Sequence, residues 1–265
     1  MLHAAVAARS FRRYSTYRGA TLAGIFTNSV FGVIISYVYL ALWDVRPHVG
    51  GYDATDAVTY AWIGQGLIMV VAMWSGGPTD DLAERVRSGD IAVDLYRPVN
   101  LVGWYLAQDF GRTGFHLVTR GTVPMLLGAV LFDLRGPASP LAAAAFALSI
   151  ALGVVVSFGI RFLVACTAFW LLDASGVRTL SMVAATFFSG LMLPLVVFPE
   201  PLRSIALALP WASMLQTPAD LWLGRHSGAA MLGALGLQAL WAGVLLVASQ
   251  LTLRAATARV VVQGG

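Results

Sequence analysis

Five stretches of this chain contain no Asp, Glu, Arg or Lys: Gly19 to Trp43, Ala57 to Thr79, Gly136 to Ile160, Thr179 to Pro199 and His226 to Leu253. Each reaches the roughly 20 residues that carry a helix across about 30 Å of hydrocarbon. A soluble domain could not hold five such runs and still cover its surface. Only 11% of the chain is charged, against about a quarter in an average soluble domain. A segment in lipid must satisfy its own backbone polar groups, and a helix does so locally. The sequence therefore predicts an all-α integral membrane protein, one transmembrane domain over residues 1–265.

A sixth crossing is hidden. Gly121 to Phe132 is apolar but short, and extending it back to Thr113 takes in His116 and Arg120. An arginine can snorkel its charge toward the headgroups, so 113–132 is read as the third of six spans. The arginines then divide unevenly. Thirteen of the 17 fall on the side that holds both termini, and Arg46, Arg135, Arg203 and Arg225 fall on the other. The positive-inside rule puts the thirteen, and both termini, in the cytoplasm of a cell whose plasma membrane the chain spans several times. The net charge of +4 thus reports topology and gives no reason to expect a nucleic-acid partner.

All 17 basic residues are arginine. Without lysine a Walker A phosphate loop cannot be built, so the chain does not hydrolyse ATP by that means. A lone cysteine, Cys166, makes no internal disulfide, and four scattered histidines argue against a metal site. Residues 1–18 are rich in Arg, Ser and Ala. They are read as an amphipathic helix on the inner surface, with Phe11, Tyr14 and Tyr17 in lipid and Arg12, Arg13 and Arg18 at anionic headgroups.

Three segments are candidates for function. In the loop 78–108, Thr79 or Asp80 caps a short helix, Leu82 and Val86 mark an apolar face, and Gly89 ends it. Ile91, Val93 and Leu95 then alternate. The loop reads either as a solvated surface or as a docking site around a short apolar ridge. In Ser189 to Gly224, Pro194, Pro199, Pro201, Pro210 and Pro218 forbid one straight helix. Residues 199–224 fit an extracellular re-entrant segment of short broken helices, or an interfacial helix anchored by Trp211 and Trp222. In Ala168 to Thr179, the position of Arg161 leaves two readings: the fourth helix outruns the membrane, or Arg161 lies inside it and needs a partner. Arg120 raises the same question. Arg120, Phe187 and Phe188 are candidates for a substrate path, with snorkelling and interhelical packing as the plainer alternatives. Gly153, Ser157 and Gly159, and Gly228, Gly233 and Gly236, are small enough for close helix packing.

Three passages resemble the permease subunits of ABC-2 type exporters, in the branch of short six-span permeases. Ser88 to Asn100 is similar to the family's cytoplasmic loop, with Gly89-Asp90-Ile91, Leu95 and Pro98 in register. Ala168 to Gly176 resembles the aromatic end of its fourth span. Ser189 to Pro218 resembles its proline-rich passage through Gly190, Pro194-Leu195, Phe198-Pro199 and Leu209-Pro210-Trp211. The resemblance implies a coupling helix that sits on a separate ABC ATPase, with Arg85, Arg87, Asp90, Asp94, Arg97 and Pro98 as candidate contacts. It implies two ATPase copies, which hold the ATP and Mg while this chain carries no cofactor. It also implies a second permease, identical or paralogous, and an outer gate around Pro194, Pro199 and Pro210.

Rival functions expect features that are missing. A secondary transporter wants acids near the middle of its spans, and the five clean runs hold none. A membrane enzyme wants a polar catalytic cluster at one face. A membrane component of an assembly that transports nothing is the third alternative.

Overall fold

The computed structural model describes residues 2–74, 76–96, 98–171 and 173–257, and among them there are helices and no strands. Four helical stretches are long and apolar enough to cross a membrane: Arg18–Val45, Leu101–Leu131, Pro140–Phe169 and Gly228–Thr257. The first is helix α2, following α1 (Leu2–Ser15). The second joins α6 (Leu101–His116) to α7 (Thr122–Leu131) through a π-helical turn at Leu117–Gly121. The third is α8 (Pro140–Cys166) with a terminal 3-10 turn, and the fourth is α12 (Gly228–Thr257).

Local chemistry sets where these helices begin. Ser139 caps α8 by accepting from the Ala142 amide at 3.0 Å, with Pro140 at the first helical position. Asn100 caps α6 through the Gly103 amide at 2.8 Å. Asp53 and Asp56 form a reciprocal capping box on α3 (Ala54–Val70).

Helix α3 is the centre of the molecule. It is apolar on all sides and buried along nearly its whole length, as expected of a helix that touches neither water nor lipid. Glycines let its neighbours approach. A Cβ on Gly66 would lie 3.2 Å from the Gly121 carbonyl oxygen, and Gly32 and Gly128 leave the space that Trp62 fills. Tyr39, Trp43, Ile150, Val154, Leu215 and Ala219 complete this core. A second core joins Leu82 and Ile91 to Tyr105, Phe158, Phe162 and Leu253. The outward faces of α2 and α12 carry exposed Leu22, Phe26, Phe31, Leu232 and Leu240. Acyl chains solvate such a belt, and water does not.

Several boundaries differ from the sequence reading. The second apolar run continues to Thr79, but α3 stops at Val70 with 17 residues. Ala72 turns into the left-handed region at φ 48°, and the Met73 amide reaches back to the Ile68 carbonyl at 2.9 Å. That is a Schellman-type ending with alanine in the usual glycine position. The third helix starts at Leu101 rather than Thr113, because its first turns are buried between α1 and the second core, where Leu101, Val102 and Tyr105 pack. The fourth passes Arg161 and ends at Cys166. The fifth run gives α9 (Ser175–Phe188), only 14 residues, stopped by a turn at Gly190 with φ 89°. Four helices among the described residues thus have spanning length.

Helix α1 packs along α6, which engages part of the face expected in lipid. The Ser10 hydroxyl donates to the Gln108 carbonyl at 2.7 Å, and Phe11 meets Phe115 edge-on at 5.7 Å. Tyr14 meets His116 in the same way at 5.5 Å, while Tyr17 stays exposed. Of the small residues expected at helix contacts, Gly153 and Gly159 meet Ser213 and Leu245, whereas Gly228, Gly233 and Gly236 face open space. Ser157 is used for hydrogen bonding.

Candidate functional site

The abrupt end of α3 leaves backbone carbonyls open inside an apolar region, where an unpaired acceptor is costly. Side chains from two other helices close them. Arg112 on α6 donates to the carbonyls of Met69 and Val70, the latter at 2.9 Å. Thr113 donates to the same Val70 oxygen at 3.0 Å, and Ser157 on α8 donates to Val71.

One carboxylate supports this arrangement. Asp109 accepts from Arg112 Nε at 2.7 Å through one oxygen and from Arg161 Nη2 at 2.6 Å through the other. Asp109 and Arg112 are spaced i, i+3 and so share a face of α6. The side chains of Asp109 and Arg112 are 0% and 1% exposed, and that of Arg161 is 11%. Arg161 also donates to Ser157 and to the Thr79 hydroxyl, each at 3.2 Å. Arg161 thus has the partner that its intramembrane reading requires, and α8 also runs on past it to Cys166.

Thr79 belongs to α4 (Pro78–Ser88), so the clamp fixes the start of the candidate coupling segment. Pro78 opens α4, Asp80 and Asp81 face its positive end, and Gly89 closes it at φ 82°. A five-residue helix, α5 (Ile91–Leu95), follows. Leu82 and Ile91 are buried, and Val86 and Leu95 pack beside them. The apolar ridge read as a docking face therefore turns inward, against α6 and α8. Helical spacing puts Ile91 and Leu95 on one side and Val93 on the other; Val93 and Tyr96 are 58% and 80% exposed. Periodicity over five residues was too short to distinguish this from alternation.

The candidate contacts divide in the same way. Arg85, Asp90 and Asp94 come together: Arg85 pairs with the buried Asp94 and donates to the Asp90 carbonyl at 3.1 Å. Its hydrogen bond to Asp94 holds the Arg85 guanidinium above its ordinary pKa. Arg87, Asp90 and Pro98 are exposed, and Arg97 lies outside the described residues. Arg87 lies 3.8 Å from Glu84. Arg13 of α1 donates to Asp81 at 2.7 Å, which ties α1 to α4 and raises the Arg13 pKa.

At the opposite end, the proline-rich segment forms 3-10 turns at Leu195–Val197 and Pro210–Met214 and two short helices, α10 (Leu202–Ala208) and α11 (Gln216–Trp222). Pro194 and Pro210 each lead into a 3-10 turn, and Pro199 follows the first. Gln216 is the hub. Its side-chain oxygen accepts from the Leu195 amide at 2.7 Å and from the Tyr60 hydroxyl at 3.0 Å. Its nitrogen donates to Tyr52 and Asp220, both at 3.0 Å. Gln238 of α12 binds the Ser213 carbonyl at 3.0 Å and accepts from Ser149 of α8 at 2.9 Å. Arg135 and Arg225 both pair with the buried Asp56 at the start of α3.

Of the three candidate path residues, Phe187 and Phe188 lie together, edge-on with ring centres 5.1 Å apart, and Arg120 sits on another element. Phe187 packs on Phe198 with ring centres 5.0 Å apart, and Phe188 on Trp211 at 5.8 Å, so both brace the proline-rich segment. Arg120 lies in the π-turn far from them, its guanidinium over Gly24 of α2. No curated protein matches the sequence. The family model described as ABC-2 family transporter protein matches residues 28–264. Its span takes in the clamp, the proline-rich segment and nearly all of the spanning helices, and the chain belongs to the ABC-2 family of transporter proteins.

Proposed function

We propose that this chain is the permease subunit of an ATP-driven exporter, moving an amphipathic or hydrophobic substrate outward across the plasma membrane. A separate ABC ATPase, present in two copies, holds ATP and Mg and docks on the 78–108 segment. The observation that carries this is the clamp. Helix α4 presents Arg87 at the surface and is bonded through Thr79 and Arg161 to Asp109 between α6 and α8. A push on α4 is therefore delivered to two spanning helices and to the end of α3. Such transmission suits a rigid-body switch between inward-facing and outward-facing states.

In this reading, Arg87, Asp90, Val93, Tyr96 and Pro98 contact the ATPase, while Arg85 and Asp94 hold the shape of the surface. Arg97 joins the contact set from its place in the sequence. The segment 199–224 re-enters the outer leaflet, and Pro194, Pro199 and Pro210 shape an outer gate. With α3 and α9 counted, the chain crosses six times. Both termini are then cytoplasmic, as the thirteen-to-four division of arginines favours. A second permease, identical or paralogous, completes the path.

The test is affinity purification of the tagged chain from detergent-solubilised membranes, with quantification of co-purifying subunits. A complex of two ATPase chains and two permeases is expected, and it would show whether the permeases are identical. If no ATPase associates, even with a non-hydrolysable ATP analogue present, the coupling assignment is refuted.

A further inference from the structure

A half-open cavity lies where α4, the end of α8 and the start of α9 meet. Its polar rim carries Arg87, Arg161 and Arg178 together with Asp80 and Asp173. Most of these charges are already engaged. Arg161 is held by Asp109. Asp80 accepts from the Gly76 amide at 2.9 Å. Asp173 accepts from the amide and hydroxyl of Ser175 at 2.8 and 2.9 Å, and the amide contact draws its pKa below the usual carboxylate range. Two guanidiniums are left. Arg87 pairs loosely with the exposed Glu84 at 3.8 Å, and Arg178 makes no ion pair within 4 Å among the described residues, though both guanidiniums lie near enough to Asp173 to help lower its pKa. The remaining wall is apolar, with Met73, Trp74, Val164 and Met182.

Two arginines with spare donors beside an apolar wall suit one kind of ligand. Guanidinium recognises phosphate and carboxylate through paired hydrogen bonds. Methionine and tryptophan offer adaptable surface to a chain of methylenes. We propose that this cavity binds the head of an anionic amphipath between Arg87 and Arg178, with its first methylenes against Trp74 and Met182. Arg87 is on α4 and Arg161 is in the clamp, so an occupant touches the parts that the transport reading couples to ATP. That consequence rests on the transport reading. The binding does not, and it is measured on this chain alone, so a failure to bind leaves the ATPase association standing.

The experiment is a binding titration of the purified full chain in detergent, read by native mass spectrometry. The probes are dioleoylphosphatidylglycerol, dioleoylphosphatidylcholine with the same tails, and inorganic phosphate. Saturable one-to-one binding of phosphatidylglycerol is expected, about tenfold or more tighter than phosphatidylcholine. Arg87→Gln and Arg178→Gln each weaken it by about tenfold, as loss of a charged hydrogen bond does. Arg87→Lys retains most of it, and Arg203→Gln, on the far side of the molecule, leaves it unchanged. Equal binding of the two lipids, or full binding by both glutamine variants, would overturn the proposal. Displacement by inorganic phosphate at the same concentration as the lipid would also overturn it, because the site would then read an anion alone.

Discussion

Asp109 on α6 grips Arg161 on α8 at 2.6 Å, and the same carboxylate holds Arg112 at 2.7 Å. One negative charge thus serves two arginines in a buried setting. Removing one partner from such a group strands charge where water cannot reach it. Asp109→Ala should therefore destabilise the protein by about 3–5 kcal/mol, seen as a lower melting temperature in detergent and a poorer yield. Asp109→Glu should fall between the parent and Asp109→Ala. A parental melting temperature for Asp109→Ala would show that the carboxylate does not support the clamp.

Ala72 ends α3 in a left-handed conformation and is buried. A β-branched residue is strained there by sterics alone. Ala72→Val should lower stability by about 1–3 kcal/mol. Ala72→Gly should stay near the parent, because relief of strain offsets the lost methyl contact. Thermal unfolding of the two variants side by side checks this, and equal melting of both would remove the Schellman-type ending from the account.

Gln216 makes four hydrogen bonds and is fully buried. Gln216→Leu keeps comparable bulk but strands the Leu195 amide and deprives Tyr52 and Tyr60 of a partner. Each unsatisfied group costs about 1–3 kcal/mol, so faster hydrogen exchange is expected around Leu195 and through α11. Unchanged exchange there would mean that Gln216 does not hold the proline-rich segment together.

A Cβ on Gly111 would come within 2.1 Å of the Ala7 carbonyl oxygen. Gly111→Val should therefore lift α1 from α6 and open Arg9, Arg12 and Arg13 to trypsin. Gly19→Ala, which meets nothing within 4 Å, is the control. Equal digestion of the two would indicate that α1 is not seated on α6.

Exposed and buried members of the proposed coupling segment should behave differently. Surface substitutions usually change stability by less than about 0.5 kcal/mol. Asp90→Arg and Tyr96→Ala should leave membrane levels unchanged while lowering transport per ATP hydrolysed, measured with the ATPase subunit in vesicles. Asp94→Ala should lower the membrane level itself, because Asp94 is buried and anchors the partly exposed Arg85. Normal coupling in both exposed variants would move the docking surface elsewhere.

The sequence by itself determined that this is a helical membrane protein. Charge-free runs as long as Gly19 to Trp43 have few other fates, and a run of apolar residues is a local property. The same holds for the broken outer segment, since Pro194, Pro199 and Pro210 forbid a straight helix wherever they sit. The family resemblance was legible too, in passages with fixed spacing such as Gly89 to Pro98. Tertiary structure decided what the run Ala57 to Thr79 could not disclose. Residues 71–74 are as apolar as those before them, yet the helix stops, because Arg112, Thr113 and Ser157 arrive to take its open carbonyls. Pairing of Asp109 with Arg161 across 52 positions, and of Gln216 with Tyr60 across 156, belongs to the same class. A buried charge or amide is tolerable only beside its partner, and which partner it meets depends on how the helices pack.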